Sequence, residues 1–317
     1  MFIALVIAAA FFALVHGLNT GASLLATSLN VRGMNLTGAL IIMTVGVALA
    51  PFLFGFAVAN TLAHDLVPFS GEQGQRGMLV AVIVTIVVIF VLSWARVPSS
   101  LTIALVSAIA GYGFVAIGEV DWGTIAKVLV TMFVAPIFGG LLAYLLSRFI
   151  LPLLPQLSVR KYLERGHLLA FSLLSLAYGS NDAQKMLAVA MIALGFSGTV
   201  GIGDLWWVIL GCALIFAIGS RLGVGRMAKT ISTGVLPAAP TDMVITEVSS
   251  SAAMLISTGI GSPVGLAQTM SGSLIGAGLS QGYGRIRWQE VSKILIAWLI
   301  TLPVTFAIAA LIGMVIR

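Results

Sequence analysis

Long apolar runs separated by short polar stretches dominate the chain: Met1–Leu29, Leu36–Leu62, Met78–Trp94, Thr124–Phe149, His167–Leu194, Leu205–Gly219 and Val291–Ile316. Each is apolar on every face and close to the roughly 20 residues that an α-helix needs to cross hydrocarbon. The pattern predicts an all-α polytopic membrane protein and excludes a β-barrel, whose strands alternate polar and apolar positions. Two stretches differ. Pro98–Gly113 and Pro263–Gly278 are short and rich in Ser, Thr and Gly, and are predicted to be re-entrant helices starting at their prolines. Backbone of this kind is tolerated at membrane depth only where it is buried in protein or lines a wet cavity. A helix start carrying Ser and Thr presents free N–H groups and hydroxyls, which suits an anion.

One of the long runs carries charge at its centre. Within His167–Leu194 lies Tyr178-Gly179-Ser180-Asn181-Asp182-Ala183-Gln184-Lys185. A charge at the centre of a bilayer costs about 2.5–3.5 kcal/mol even on the most lenient scale. Nothing nearby requires that cost for folding, so these residues are candidates for a site. Asn181 and Asp182 offer oxygens to a hard cation. Lys185, three residues after Asp182 on one helix face, either neutralises it or attracts an anion.

A second, weaker version of the motif occurs earlier, at His16-Gly17-Leu18-Asn19-Thr20-Gly21-Ala22. Further landmarks recur in the same order. Val58-Ala59-Asn60-Thr61 parallels Met227-Ala228-Lys229-Thr230, the two Pro-led segments parallel each other, and Asp121-Trp122 before Pro136 parallels Arg287-Trp288 before Pro303. The chain therefore reads as a first membrane repeat (1–150), a connection (151–165) and a second repeat (166–317). Basic residues Arg148, Arg160, Lys161 and Arg165 place the connection in the cytoplasm. Equivalent landmarks then fall on opposite sides, which predicts inverted-topology repeats with both termini outside. Such repeats are typical of secondary transporters, with the solute near the midplane.

Composition narrows the function. Only 8% of residues are charged and the mean hydropathy is +1.13, against about 25% charged in soluble domains. The net charge of +6 falls mostly between apolar runs, so it is read as topology and nucleic acid is not an expected partner. With no Lys or Arg before Arg32, a signal peptide is not expected. The single Cys212 excludes an internal disulfide. No phosphate-binding loop and no Ser–His or paired-Asp arrangement stands out, so an enzyme is not expected.

The residues resemble the inorganic phosphate transporter (PiT) family over nearly the whole chain. The resemblance is clearest at Gly17–Ala22 with Ala26-Thr27-Ser28, at Gly179–Lys185, at Glu247 with Ser251-Ala252-Ala253, and at Pro263 through Gly278. It implies a plasma-membrane permease of two inverted halves, moving inorganic phosphate with Na⁺ or H⁺ and needing no other cofactor. Asn19, Thr20, Asn181, Asp182 and Glu247 would couple the cation, with Na⁺ at Asn19, Asn181 and Asp182. Ser100, Thr102, Gln268, Thr269 and Lys185 would hold the anion. The family usually has Asp where Thr20 stands, and its re-entrant segments end in Ser-Thr-Thr-His, a His absent here. Leu266-Ala267-Gln268 resembles the sulfate-permease branch. Phosphate symport is thus the leading expectation, with a sulfate permease or an anion channel as alternatives and a homodimer as the expected assembly.

Overall fold

A computed structural model describes residues 1–29, 33–94, 100–150, 152, 159–196, 202–231 and 239–316; at 93, 159–162, 202 and 226–231 it describes backbone only. Among these residues the chain is helical throughout, with no strand. Six helical stretches are long and apolar enough to span a bilayer: Phe2–Ser28, Leu36–Phe54, Gly71–Leu92, Trp122–Ile150, Gly203–Gly225 and Trp288–Val315. The protein is an integral, multi-pass membrane protein. Its outer faces carry large apolar side chains at helical spacing, such as Ile41, Val45 and Leu49 or Leu210, Leu214 and Ile218, all exposed. The interior is built largely from Ala, Gly, Ser and Thr, as expected where lipid offers apolar chains no reason to hide and close backbone contact must hold helices together.

We label the elements α1 (Phe2–His16), α2 (Ala22–Ser28), α3 (Leu36–Phe54), α4 (Ala57–Asn60), α5 (Gly71–Trp94), α6 (Leu101–Tyr112), α7 (Trp122–Leu145), α8 (Val159–Ser180), α9 (Gln184–Ala193), α10 (Ile202–Ile231), α11 (Pro240–Gly259), α12 (Leu266–Gln281) and α13 (Trp288–Val315). Single π-helical turns continue several of them, including Gly17–Gly21 between α1 and α2, Thr61–Asp65 after α4, and Leu146–Ile150 after α7. Two expected spans are interrupted. Leu36–Leu62 breaks after Phe54, where Gly55 takes a positive φ of 72°. His167–Leu194 breaks at Asn181–Ala183. Conversely, α11 was not among the expected spans because Asp242, Glu247 and its many hydroxyls dilute its apolar character, yet it is a 20-residue, mostly buried helix.

The re-entrant segments are present but begin later than expected. Helix α6 is capped by Ser100 and α12 by Gly265, so Pro263 lies outside its helix; Pro98 and Ser99 lie outside the described residues. Every residue of α6 is buried. Continued by the π-turn Gly113–Ile117, it reaches about 25 Å at the usual rise, short of the roughly 30 Å hydrocarbon core. Packing is crossed between the two parts of the chain: α6 lies against α13, and α12 against α7. Glycines permit the approach. A Cβ at Gly111 would strike the carbonyl of Phe306, and one at Gly276 the carbonyl of Gly140. A parallel exchange joins α1, the Gly17–Gly21 turn and α2 to α10, and α8 to α3.

Candidate functional site

The break after α8 strips the backbone of regular helical bonds, leaving shorter ones from Asn181 N–H to the Tyr178 carbonyl (3.3 Å) and from Gln184 N–H to that of Asn181 (3.2 Å). Side-chain amides complete the accounting. Asn181 accepts from Val264 N–H at 2.8 Å and donates to the Ser262 carbonyl at 3.0 Å and to Thr258 Oγ1 at 3.2 Å. Gln184 accepts from Ala59 N–H (2.9 Å) and donates to the carbonyls of Gly55 (2.8 Å) and Ser180 (2.7 Å). These two amides clamp the broken helix to the loop before α12 and to the break between α3 and α4. Gly261, with φ of 68°, turns the chain out of α11 into that loop.

Asp182 sits at the centre. One carboxylate oxygen accepts from Leu266 N–H, the first residue of α12, at 2.9 Å. The other takes the Lys185 ammonium and faces the Thr102 hydroxyl at 3.5 Å. Lys185 also donates to the Val264 carbonyl at 3.0 Å. Both side chains are buried, at 2% and 0% exposure. A carboxylate at a helix N-terminus meets the positive end of the macrodipole. Asp182 therefore occupies the end of α12 that sequence assigned to the substrate anion, and Lys185 supplies the positive charge assigned to a cation.

The starts of α6 and α12 converge around Gly265. A Cβ there would lie 3.0 Å from Gln268 Oε1, 3.2 Å from Thr102 Oγ1 and 3.4 Å from Ser100 Oγ. Ser100 accepts from Ile103 N–H at 3.4 Å, and Gln268 Oε1 from Gly265 N–H at 3.1 Å. The Gln268 amide nitrogen is buried with no hydrogen-bond partner among the described residues. Buried donors are seldom left unpaired, so this one marks a place for an acceptor. Thr269 instead bonds within its own first turn, to the Leu266 carbonyl at 3.1 Å.

Other expectations are corrected. Glu247 does not join Asp182. Its carboxylate lies 3.0 Å from His167 Nδ1, while Thr258 and Met254, further along α11, reach the motif. His167, at the start of an apolar run, is 1% exposed. Asn19 and Thr20 are half-buried on the Gly17–Gly21 turn, packed toward α10, and among the described residues neither side chain hydrogen-bonds to Asn181, Asp182 or Lys185. The Asn181 and Asp182 oxygens expected to hold Na⁺ are here engaged by Val264 N–H, Leu266 N–H and the Lys185 ammonium. Arg221 lies on helix α10; the side chains of Arg226 and Lys229 lie outside those described.

His16 was overlooked as a contributor. It is fully buried, neither ring nitrogen has a hydrogen-bond partner among the described residues, and Nε2 is 3.9 Å from Asp182. Its ring packs among Phe12, Tyr178 and Phe216. The signal was present in the alignment of the two motifs, which sets His16 opposite Tyr178.

An open cavity of about 270 Å³ is lined by Thr61, Asp65, Asp121, Thr124, Lys127 and Ser262, among others. It stops at Ser262, whose carbonyl Asn181 holds. At its rim Asp121 caps α7, and hydrogen bonds from the Thr124 N–H and hydroxyl hold its carboxyl below the usual range.

The family model described as Phosphate transporter family matches residues 16–309. The chain belongs to that family. It is 34% identical over 264 residues to a "Probable low-affinity inorganic phosphate transporter" of Mycobacterium leprae (strain TN), covering 80% of this chain and 63% of the relative. A relative of the same description from Bacillus subtilis (strain 168) is 26% identical over 317 residues, covering 98% of this chain and 95% of its own. The chain thus spans under two thirds of the mycobacterial relative but nearly all of the Bacillus one. Among solved structures, one titled "The sodium-dependent phosphate transporter" superposes with TM-score 0.84 at 19% identity, covering 99% of this chain and 98% of that one. That likeness establishes a shared fold.

Proposed function

We propose that this protein moves inorganic phosphate across the plasma membrane by cation symport and alternating access, through two inverted halves with the central connection cytoplasmic. Family membership supports the substrate. The crossed pairing of α6 with α13 and α12 with α7 supports the two-repeat reading. The single observation that carries the mechanism is the buried Asp182–Lys185 pair between the starts of α6 and α12. Closed, the two charges cancel each other. Parted by opening, Lys185 with the Ser100 and Thr102 hydroxyls and the Gln268 amide suits a phosphate, and Asp182 suits a cation. Neither ion is then accommodated favourably alone, because either would leave one buried charge uncompensated. Asn181 and Gln184 act as hinges that keep the break in register.

The test is uptake of labelled phosphate into proteoliposomes. Asp182→Asn is expected to lower the rate by at least tenfold and to flatten its dependence on the driving cation. If rate and cation dependence are unchanged, Asp182 is not the coupling residue. Inhibition by excess sulfate as strong as by unlabelled phosphate would move the assignment to a sulfate permease. Uptake that follows the anion gradient alone, indifferent to Na⁺ and pH, would make the protein a channel.

A further inference from the structure

The coupling cation is open in the reading above, and a second buried ionisable cluster bears on it. His167 on α8 and Glu247 on α11 meet at 3.0 Å through Nδ1 and Oε2. His167 Nε2 lies 3.1 Å from the backbone carbonyl of Ser28, the last residue of α2. Exposure of the two side chains is 1% and 0%. A carbonyl can only accept, so Nε2 must carry a hydrogen. In the neutral imidazole that tautomer leaves Nδ1 as a bare lone pair facing a carboxylate oxygen. The 3.0 Å contact is attractive only if one further proton lies between them, as imidazolium with carboxylate or as imidazole with carboxylic acid. Both forms are neutral overall. Removing that proton would leave a net negative charge sealed from water and two lone pairs opposed, a state that costs several kcal/mol.

The pair is also mechanically placed. The seam between α8 and α11 is bonded at both ends: by His167–Glu247 at one, and by Ser180 and Asn181 to Thr258 at the other. Those ends are roughly 20 Å apart along α8 and about 16 Å apart along α11 at the usual helical rise. The Ser28 carbonyl ties in the first span, whose π-turn and His16 reach the other end of the bundle. Second-repeat helices and the first span are thus joined by one proton. Among the described residues no other charged side chain bonds to either group. On α8, Glu164 and Arg165 precede His167 by less than a turn and Tyr178 lies at the far end; α11 adds Asp242, bonded to Ala239 N–H and Gln281. Arg148 lies on the Leu146–Ile150 turn, and Lys127 and Tyr144 on α7, while α2, α3, α4 and α12 carry no titratable side chain. Glu247 Oε1 has no hydrogen-bond partner among the described residues.

We infer that His167 and Glu247 form a proton-binding site, distinct from Asp182, and that the cation coupled to transport is H⁺. The pair keeps its proton while closed and exchanges it only with the side to which the α8–α11 seam opens. On opening, the proton passes from the Nδ1–Oε2 bond to water, and the exposed carboxylate is solvated. This rests on the transport reading above, and the experiment separates the two.

Full-length protein is reconstituted with labelled phosphate, and two rates are read: accumulation driven by an imposed pH gradient, and exchange of labelled for unlabelled phosphate at equal pH. Glu247→Gln, which keeps a donor to Nδ1 but cannot ionise, is expected to lower accumulation at least tenfold more than exchange. His167→Gln carries the same comparison if the first variant does not assemble. Equal losses in both rates would mean a structural role and overturn the inference. So would wild-type accumulation that follows a Na⁺ gradient and ignores pH. Absence of both rates in the wild type would sink phosphate transport itself. The proton site then stands or falls on infrared spectra: a pH-dependent carboxyl band that Glu247→Gln removes supports it, and a band that persists refutes it.

Discussion

The Gly17–Gly21 and Gly179–Lys185 motifs resemble each other in sequence yet fold differently. The first stays wound: α1 passes through one π-turn into α2, and its glycines serve packing, a Cβ at Gly17 striking the Phe216 carbonyl and one at Gly21 the Ser220 hydroxyl. The second unwinds at Asn181–Ala183 and buries a carboxylate and an ammonium. The difference follows from side chains available to replace lost backbone bonds. Asn181, Asp182 and Gln184 together engage N–H groups of Val264, Leu266 and Ala59, whereas Thr20 and Ala22, which align with Asp182 and Gln184, have nothing comparable to offer. A membrane helix breaks where something else satisfies its backbone, and stays whole where nothing does.

That contrast can be broken in order of effect. Lys185→Met leaves Asp182 charged and unpaired in the interior and is expected to cost about 3–5 kcal/mol, read as a lower unfolding midpoint of the solubilised protein; adding Asp182→Asn should recover most of it. If the single variant is as stable as wild type, the pair is not what holds the break. Next comes the packed motif: Gly17→Val must displace backbone of α10 and should cost about 1–3 kcal/mol, by the same measurement. Asn19→Ala should change stability by less than about 1 kcal/mol, the scale of interhelical polar contacts in membranes, and reduce phosphate uptake far less than Asp182→Asn does. Equal loss in the two would place Asn19 at the cation site with Asp182. The smallest effect lies at the cavity rim. Because Asp121 is held below the usual carboxylate range, its contribution to stability is complete above that range and fades as pH falls through its native value. Asp121→Asn should keep the cap and abolish that pH-dependent part, so the two melting curves should differ at neutral pH and converge in acid.

Much of this was legible from the chain. Uniform apolarity announced the spans, and the cost of charge at membrane depth singled out Asp182 and Lys185. The approach of Ser100 and Thr102 to Gln268 followed from two Pro-led, hydroxyl-rich segments. What failed did so for physical reasons. Hydropathy cannot see a break inside an apolar run, so His167–Leu194 read as one helix. It undervalues α11, whose hydroxyls bond within the helix, as Ser251 and Ser257 do to carbonyls four residues back. Glu247 was grouped with Asp182 through the family resemblance, while its partner His167 lay at the edge of an apolar run. Pairing across the bundle is a tertiary fact that spacing along the chain does not carry.

The crossed packing also bears on how such a chain is made. Helix α6 leaves the ribosome long before α13, the helix whose Phe306 carbonyl seats Gly111. Synthesis runs at about 5–20 residues per second, so the buried, polar start of α6 waits seconds for its final neighbour. The insertion machinery must shelter it through that interval, until α13 supplies the face that seats it.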